Sequence, residues 1–156
     1  MDIYIVSIGK VTAGWISQGI DEYEKRIVKY IKFYSKILPD VTKSKIPVPL
    51  RVKEEGKLFL NEISGSDFVV LLDEKGVEFT SEQFSGWLEK MMVSGKKRLL
   101  FLIGGPYGFS DEIYKRKDAM LSLSKMTFTH EMAKLFATEQ IYRGLSILRG
   151  DPYHHN

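Results

Sequence analysis

Two hydrophobic periodicities alternate along this chain. Short apolar runs, typical of buried strands, occupy residues 3–8, 32–38, 68–72, 99–103 and 119–123. Between them, apolar residues recur every three or four positions, which predicts helices over 15–30, 50–63, 81–93 and 130–149. Ser81 is the expected N-cap of its helix, and Ser110, followed by Asp111 and Glu112, is expected to cap another. Strands that alternate with helices predict an α/β fold with a mainly parallel sheet.

Length and composition are those of one compact domain, residues 1–156, in which 44% of the residues are hydrophobic. No stretch is apolar enough to span a bilayer and the N-terminus carries no secretion signal, so we expect a cytoplasmic protein that binds no membrane. The absence of cysteine excludes disulfides, thiolate catalysis and zinc–thiolate sites. With three histidines we expect no metal site, and a net charge of +3 does not by itself indicate nucleic-acid binding.

A glycine turn follows the strand predicted at 99–103. The strand cannot continue through Gly104-Gly105-Pro106, and two residues without a Cβ allow a ligand or another backbone to approach closely. The order strand, glycine turn, helix fits a binding site. A purely structural turn requires the same residues, so both interpretations stay open here.

A second loop, residues 124–129, lies between the strand predicted at 119–123 and the helix that begins at His130. In open parallel sheets, ligands bind beyond the carboxyl ends of the strands. Three strand ends are therefore expected to converge on one site: Leu72-Asp73, Gly104-Gly105 and Leu123-Ser124.

Several motifs, in this order, resemble one known family, the ribosomal RNA large subunit methyltransferase H family of the SPOUT (α/β-knot) class. The resemblance covers the whole chain. It rests on Ile5-Val6-Ser7-Ile8-Gly9-Lys10, Glu22-Tyr23-Glu24-Lys25-Arg26, Ile103-Gly104-Gly105-Pro106-Tyr107-Gly108, the run from Leu121 to His130, Glu139-Gln140-Ile141-Tyr142-Arg143 and Pro152-Tyr153-His154.

The resemblance implies a C-terminal trefoil knot that holds S-adenosylmethionine in a bent conformation. It also implies methylation of the N3 ring nitrogen of a pseudouridine in 23S ribosomal RNA, with the assembled ribosome as substrate. The active form is expected to be a homodimer in which the last helix and the tail complete the neighbour's site. The implied cofactor contacts are Leu72, Gly104, Gly105, Leu123, Ser124, Lys125, Met126, Thr127 and Phe128.

The same resemblance supplies four candidates for the methyl-transfer step. We expect Arg143 to act as an electrostatic stabiliser or phosphate anchor, and Tyr153 and His154 to handle the base; His130 is the fourth candidate. Each has a simpler alternative: His130 as a helix cap or carbonyl partner, Arg143 paired with Glu139 one turn earlier, and the last residues as a frayed terminus. The proton acceptor is not assigned.

Three residues depart from the family pattern. Thr129 stands where many relatives have proline, Glu131 places a negative charge beside the expected RNA surface, and Gly144 should weaken the last helix by roughly 1 kcal/mol relative to alanine. Two other functions are kept as alternatives. One is a binding module that retains S-adenosylmethionine without catalysis and acts in ribosome assembly. The other is an unrelated α/β enzyme that binds a nucleotide at Gly104-Gly105, although the chain has neither a G-x-G-x-x-G fingerprint nor a phosphate-loop lysine there.

Overall fold

In a computed structural model, which describes residues 1–41 and 45–153, strands and helices alternate as the sequence predicts. The strands are β1 (Asp2–Ile8), β2 (Phe33–Leu38), β3 (Phe68–Glu78), β4 (Arg98–Ile103) and β5 (Ala119–Ser122). The helices are α1 (Gly14–Ile27), α2 (Val48–Glu62), α3 (Ser81–Val93), α4 (Asp111–Arg116) and α5 (His130–Arg149).

The strands form a single sheet in the order β2-β1-β4-β3-β5, and each pair of neighbours is parallel. Alternate residues of β1 point to opposite faces: Ile3 and Ile5 enter one core, and Val6 and Ile8 enter the other. The first core contains α1, α3 and α5, and the second contains α2 and α4. The predicted α/β class with a mainly parallel sheet is confirmed, and helices cover both faces of the sheet. The trefoil knot stays a prediction.

Strand β3 runs six residues past its predicted end at Leu72. Residues 73–76 loop out of the sheet, and the strand then resumes, so that both Leu72 and Val77 align with Leu121 of β5. Gly76 makes this possible, since a Cβ there would lie 2.4 Å from the carbonyl carbon of Leu121. The loop places Asp73 at the carboxyl edge of the sheet, beside the ends of β4 and β5.

The helix caps correct two predictions. Helix α3 is capped by Thr80 and not by Ser81, because the Thr80 hydroxyl accepts from the Gln83 amide while the Gln83 side chain accepts from the Thr80 amide. Helix α5 is capped by Thr129, whose hydroxyl accepts from the Met132 amide, and not by His130. The predicted cap at Ser110 is confirmed.

Gly144 has a packing role in α5. A Cβ at this position would lie 3.4 Å from the ring of Phe84, and the Gly144 carbonyl accepts from the buried Ser85 hydroxyl at 2.9 Å. The glycine therefore lets α5 approach α3 closely, which offsets its low helix propensity.

None of the helices in the described ranges is long and apolar enough to cross a membrane. Within the same residues, no group of three or more histidine or acidic side chains could hold a metal ion.

Candidate active site

A cavity of about 630 Å³ opens at the carboxyl edge of the sheet, where β3, β4 and β5 end. We call it the carboxyl-edge cavity. Its walls come from the loop after Leu72, the glycine turn after Ile103, the loop after Ser122 and the first turn of α5. The predicted convergence of three strand ends is confirmed. The volume lies in the range of small-molecule and cofactor sites in proteins.

The carboxyl-edge cavity gathers most of the residues expected to contact a cofactor. Lys125 belongs to the same loop but is not part of the cavity lining. The expected contacts that line the cavity are Leu72, Gly104, Gly105, Leu123, Ser124, Met126, Thr127 and Phe128.

The glycine turn forms a tight wall of the cavity. The Gly108 amide donates to the Gly105 carbonyl at 3.1 Å, and Gly108 adopts a φ of 77°, in the left-handed region. A Cβ on Gly104 would lie 3.1 Å from the Gly108 carbonyl oxygen and 3.3 Å from the Phe109 ring. Side chains at these positions would fill the space between the turn and its neighbours, so the glycines shape the wall.

The loop between β5 and α5 is held by its own serines. The Ser122 hydroxyl donates to the Ser124 carbonyl at 2.9 Å, and the Met126 amide donates to the Ser124 hydroxyl at 3.0 Å. These bonds fix the backbone while Met126 stays 75% exposed and Phe128 36% exposed. Apolar side chains are thus presented at the cavity mouth on a defined backbone.

His130 lies at the rim of the carboxyl-edge cavity, in the first turn of α5. Its Nε2 is 3.7 Å from the position that a Cβ on Gly9 would take, and the Asp40 side chain lies 3.8 Å from the same point. The following residue, Glu131, accepts hydrogen bonds from the Thr12 amide and hydroxyl at 3.0 and 2.8 Å. The negative charge of Glu131 is therefore used to tie α5 to the loop before α1, and these bonds lower the pKa of its carboxyl.

Arg143 and Tyr153 belong to a separate group, the tail cluster, which we define as Tyr23, Glu139, Arg143 and Tyr153. The Arg143 guanidinium donates to Glu139 through Nε at 2.9 Å and through Nη2 at 2.5 Å. It also lies 4.7 Å from the centroid of the Tyr153 ring. The Tyr153 hydroxyl is 3.1 Å from both the Glu139 carboxylate and the Tyr23 hydroxyl. The alternative pairing of Arg143 with Glu139 is thus present.

Tyr153 is packed in place, so the frayed-terminus interpretation is wrong for this residue. Gly150 ends α5 in the left-handed conformation, with a φ of 70°, and the Asp151 amide then donates back to the Ser146 carbonyl. The Asp151 carboxylate accepts from the Tyr30 hydroxyl. His154, the other tail candidate, lies outside the described residues.

The tail cluster and the carboxyl-edge cavity are far apart in one chain. Arg143 follows His130 by 13 residues along α5, which at 1.5 Å per residue is about 20 Å. The structure thus brings His130 together with the expected cofactor contacts, but it does not bring Arg143 or Tyr153 to them.

Several residues at this site carry no signal in the local sequence pattern. Tyr114 lines the cavity and donates to Asp73 at 2.6 Å, and buried Glu55 packs beneath Gly105. The sequence marks Asp73 only as the residue that follows a strand end. In the sequence Glu55 looks like one of several surface charges on a helix, and Tyr114 lies in a helix too short to show a periodicity.

Comparisons with known proteins agree with this geometry. Residues 1–154 match the family described as "Predicted SPOUT methyltransferase". Proteins named "Ribosomal RNA large subunit methyltransferase H" from Christiangramia forsetii and Parabacteroides distasonis are 51% and 49% identical to this chain. Both alignments cover 99% of this chain and 99% of the relative. The fold is also similar, at a TM-score of 0.59 and 17% identity, to "tRNA (m1G37) methyltransferase from Aquifex aeolicus", covering 100% of this chain and 76% of that one. The chain therefore belongs to the SPOUT methyltransferases, and within them to the ribosomal RNA large subunit methyltransferase H family.

Proposed function

We propose that this protein transfers a methyl group from S-adenosylmethionine to the N3 nitrogen of a pseudouridine in large-subunit ribosomal RNA, acting on the assembled ribosome in the cytoplasm. The observation that carries the proposal is the carboxyl-edge cavity, which is lined by all but one of the expected cofactor contacts. Membership of a methyltransferase family supports it, as do close relatives named as enzymes of ribosomal RNA.

The residues of the carboxyl-edge cavity fit this cofactor. A Cβ on Gly104 would obstruct the space beside the glycine turn. The cavity volume of about 630 Å³ suits a ligand that consists of a nucleoside joined to an amino acid. Apolar walls come from Leu72, Leu123 and Phe128, and the lining also includes the hydroxyl residues Ser124 and Thr127. Bound there, S-adenosylmethionine supplies an electrophilic methyl group on a sulfonium that leaves as a neutral sulfide.

The chain's own residues must position the target nitrogen and deal with its proton. A displacement of this kind depends strongly on in-line geometry, which a rigid cavity provides. Hydrogen bonding to Glu139 raises the pKa of the Arg143 guanidinium, which therefore stays cationic and can stabilise negative charge that develops on the base. Burial and the Tyr23 hydroxyl raise the pKa of Tyr153, so its hydroxyl stays protonated and acts as a donor. Neither group is then the proton acceptor.

A homodimer is proposed because Arg143 lies about 15–20 Å along α5 from Ala133 and His130, which line the cavity of the same chain. One face of α5 carries, at helical spacing, Phe136, Arg143 and Ile147. The Phe136 side chain is 37% exposed. In a two-fold dimer with antiparallel α5 helices, the first turn of one helix lies beside the last turns of the other. The cavity of one copy would then meet the tail cluster of the second.

The proposal is tested by transfer of labelled methyl from S-adenosylmethionine to ribosomes from cells that lack this protein. Free ribosomal RNA is assayed in parallel, and the labelled nucleoside is identified by mass spectrometry. We expect label on a large-subunit pseudouridine, with intact ribosomes required.

One outcome of this assay would contradict the proposed methyltransferase activity. Measurable binding of S-adenosylmethionine without any transfer, under conditions in which a characterised relative is active, would contradict the enzymatic role. That outcome would favour the alternative of a non-catalytic ribosome-assembly factor.

A further inference from the structure

Asp73 is a fixed carboxylate at the carboxyl-edge cavity. It lies in the loop that interrupts β3, directly after Leu72, and both residues line the cavity. Its Oδ2 accepts from the Tyr114 hydroxyl at 2.6 Å, and its Oδ1 accepts from the Lys75 amide at 2.9 Å. One bond comes from α4 and the other from its own loop, so the carboxylate is held in one orientation before any ligand arrives.

Toward the residues that the structure describes, the Asp73 carboxylate keeps free acceptor capacity. An ionised carboxylate offers about four lone-pair sites, and the two bonds above use one on each oxygen. Burial, together with the hydrogen bond to Asp73, raises the pKa of Tyr114 to about 12, so Tyr114 remains a donor to Asp73 at neutral pH. One free acceptor site on each oxygen suits a ligand with two neighbouring hydroxyl donors.

We propose that Asp73, oriented by Tyr114, accepts hydrogen bonds from the ribose hydroxyls of the cofactor and so determines specificity for a ribonucleoside. The proposal rests on the proposed function, since it takes S-adenosylmethionine as the ligand of this cavity. Asp73 directly follows Leu72, an expected cofactor contact, which places it within reach of the same molecule.

Charge favours the ribose over the amino-acid end of the cofactor as the partner of Asp73. The α-ammonium group is accompanied by an α-carboxylate two bonds away. Asp73 and its neighbour Glu74, which also lines the cavity, would repel that carboxylate, and the neighbouring cation Lys75 offsets only one of these two negative charges. The ribose carries two donors and no negative charge, and carboxylates bind ribose hydroxyls in other nucleotide-binding folds.

The test is calorimetric binding of S-adenosylhomocysteine and its 2′-deoxy and 3′-deoxy analogues to the full-length native protein and to Asp73→Asn. Because hydrogen bonds to a charged acceptor are strong, we expect the Asp73→Asn substitution to lower affinity for S-adenosylhomocysteine by about tenfold or more. The native protein should discriminate against at least one deoxy analogue by a similar factor, and Asp73→Asn should discriminate by less than about threefold. The Tyr114→Phe variant keeps the Asp73 carboxylate but removes the hydrogen bond that orients it. Its affinity for S-adenosylhomocysteine should lie between those of the native protein and Asp73→Asn.

The matched control is Glu78→Gln, the same charge change at an exposed position of the same strand that does not line the cavity. Its affinity should equal that of the native protein. Equal affinity of native and Asp73→Asn proteins for S-adenosylhomocysteine, or an equal loss for all three ligands, overturns the role of Asp73 and leaves the proposed function intact. If the native protein binds neither these ligands nor S-adenosylmethionine itself, the proposed function fails.

Discussion

The carboxylate of Glu55 lies directly against the Cα of Gly105. A Cβ built on Gly105 would be 2.7 Å from Oε2 and 3.0 Å from Oε1 of Glu55. Glu55 is only 3% exposed, and its Oε1 has no hydrogen-bond partner among the residues that the structure describes. Helix α2 thus supports the glycine turn through a buried carboxyl group. This contact joins the core that contains α2 and α4 to the wall of the carboxyl-edge cavity.

Replacing Gly105 by alanine should move this turn. The new Cβ would overlap the Glu55 carboxylate, so either the turn or the carboxylate must shift, at an expected cost of about 1–3 kcal/mol in the free energy of unfolding. We also expect affinity for S-adenosylhomocysteine to fall, because the turn lines the cavity. Urea unfolding and calorimetry measure the two effects.

The control for this substitution is Gly86→Ala in α3, where an added Cβ meets nothing within 4 Å. Alanine should stabilise that helix by up to about 1 kcal/mol and leave the affinity unchanged. If Gly105→Ala behaves like Gly86→Ala, Glu55 does not constrain the turn.

Glu55 should also make stability depend on pH. Burial raises the pKa of its carboxyl above the ordinary value, and the Asp40 charge raises it further, while Arg51 opposes the shift. Since the folded protein holds this proton more tightly than the unfolded chain, its stabilisation is complete below about pH 4.5 and is lost as pH rises through the folded pKa. Glu55→Gln, which stays neutral, should therefore gain stability relative to the native protein between pH 5 and pH 7. A difference in unfolding free energy between the two proteins that is the same at both pH values would contradict this account.

Arg143 should matter for catalysis more than for stability. Arg143→Lys keeps the charge but loses the planar group that pairs with Glu139 and stacks on Tyr153. We expect kcat for methyl transfer to fall by about 100-fold, with cofactor affinity unchanged and unfolding free energy lowered by less than about 1 kcal/mol.

The chain offers a control in Arg116→Lys. The Arg116 guanidinium also pairs with a carboxylate, that of Asp118 at 3.1 Å, and α4 packs on the face of the sheet opposite to the tail cluster. Replacement of Arg116 should leave kcat unchanged. A similar loss of kcat in both variants would show that Arg143 acts only through local packing.

Removing residues 153–156 should separate binding from transfer. Tyr153 is held within the tail cluster, which lies about 15–20 Å along α5 from the residues that line the cavity of its own chain. The shortened protein should therefore bind S-adenosylhomocysteine with native affinity and fail to methylate ribosomes. Parallel loss of both would mean that the tail supports the cavity.

Much of this architecture follows from local sequence patterns. The apolar runs that predict the strands are buried in parallel pairs, and the glycine turn and the three strand ends meet at one cavity as parallel-sheet geometry requires. The family also follows from ordered motifs, and the comparisons confirm it. The identification of cofactor contacts rests on those motifs, since periodicity alone predicts only where the strands end.

Other features depend on contacts between distant residues, which local patterns do not encode. The loop within β3 requires Gly76 to pass over the backbone of Leu121, 45 positions later in the chain. Glu55 looks like a surface charge until α2 is placed against Gly105. The interval between Arg143 and the cavity becomes apparent only when α5 is seen as one continuous helix.

The most direct test of a site shared between two copies is to mix two inactive variants. Thr127→Trp would fill the cavity, and Arg143→Ala would remove the guanidinium from the tail cluster. If the cavity of one copy works with the tail cluster of the other, random reassociation gives one intact site in half of the dimers, so about a quarter of native methyl transfer should return. No recovery, with mixed dimers demonstrated by mass spectrometry, would contradict the shared site.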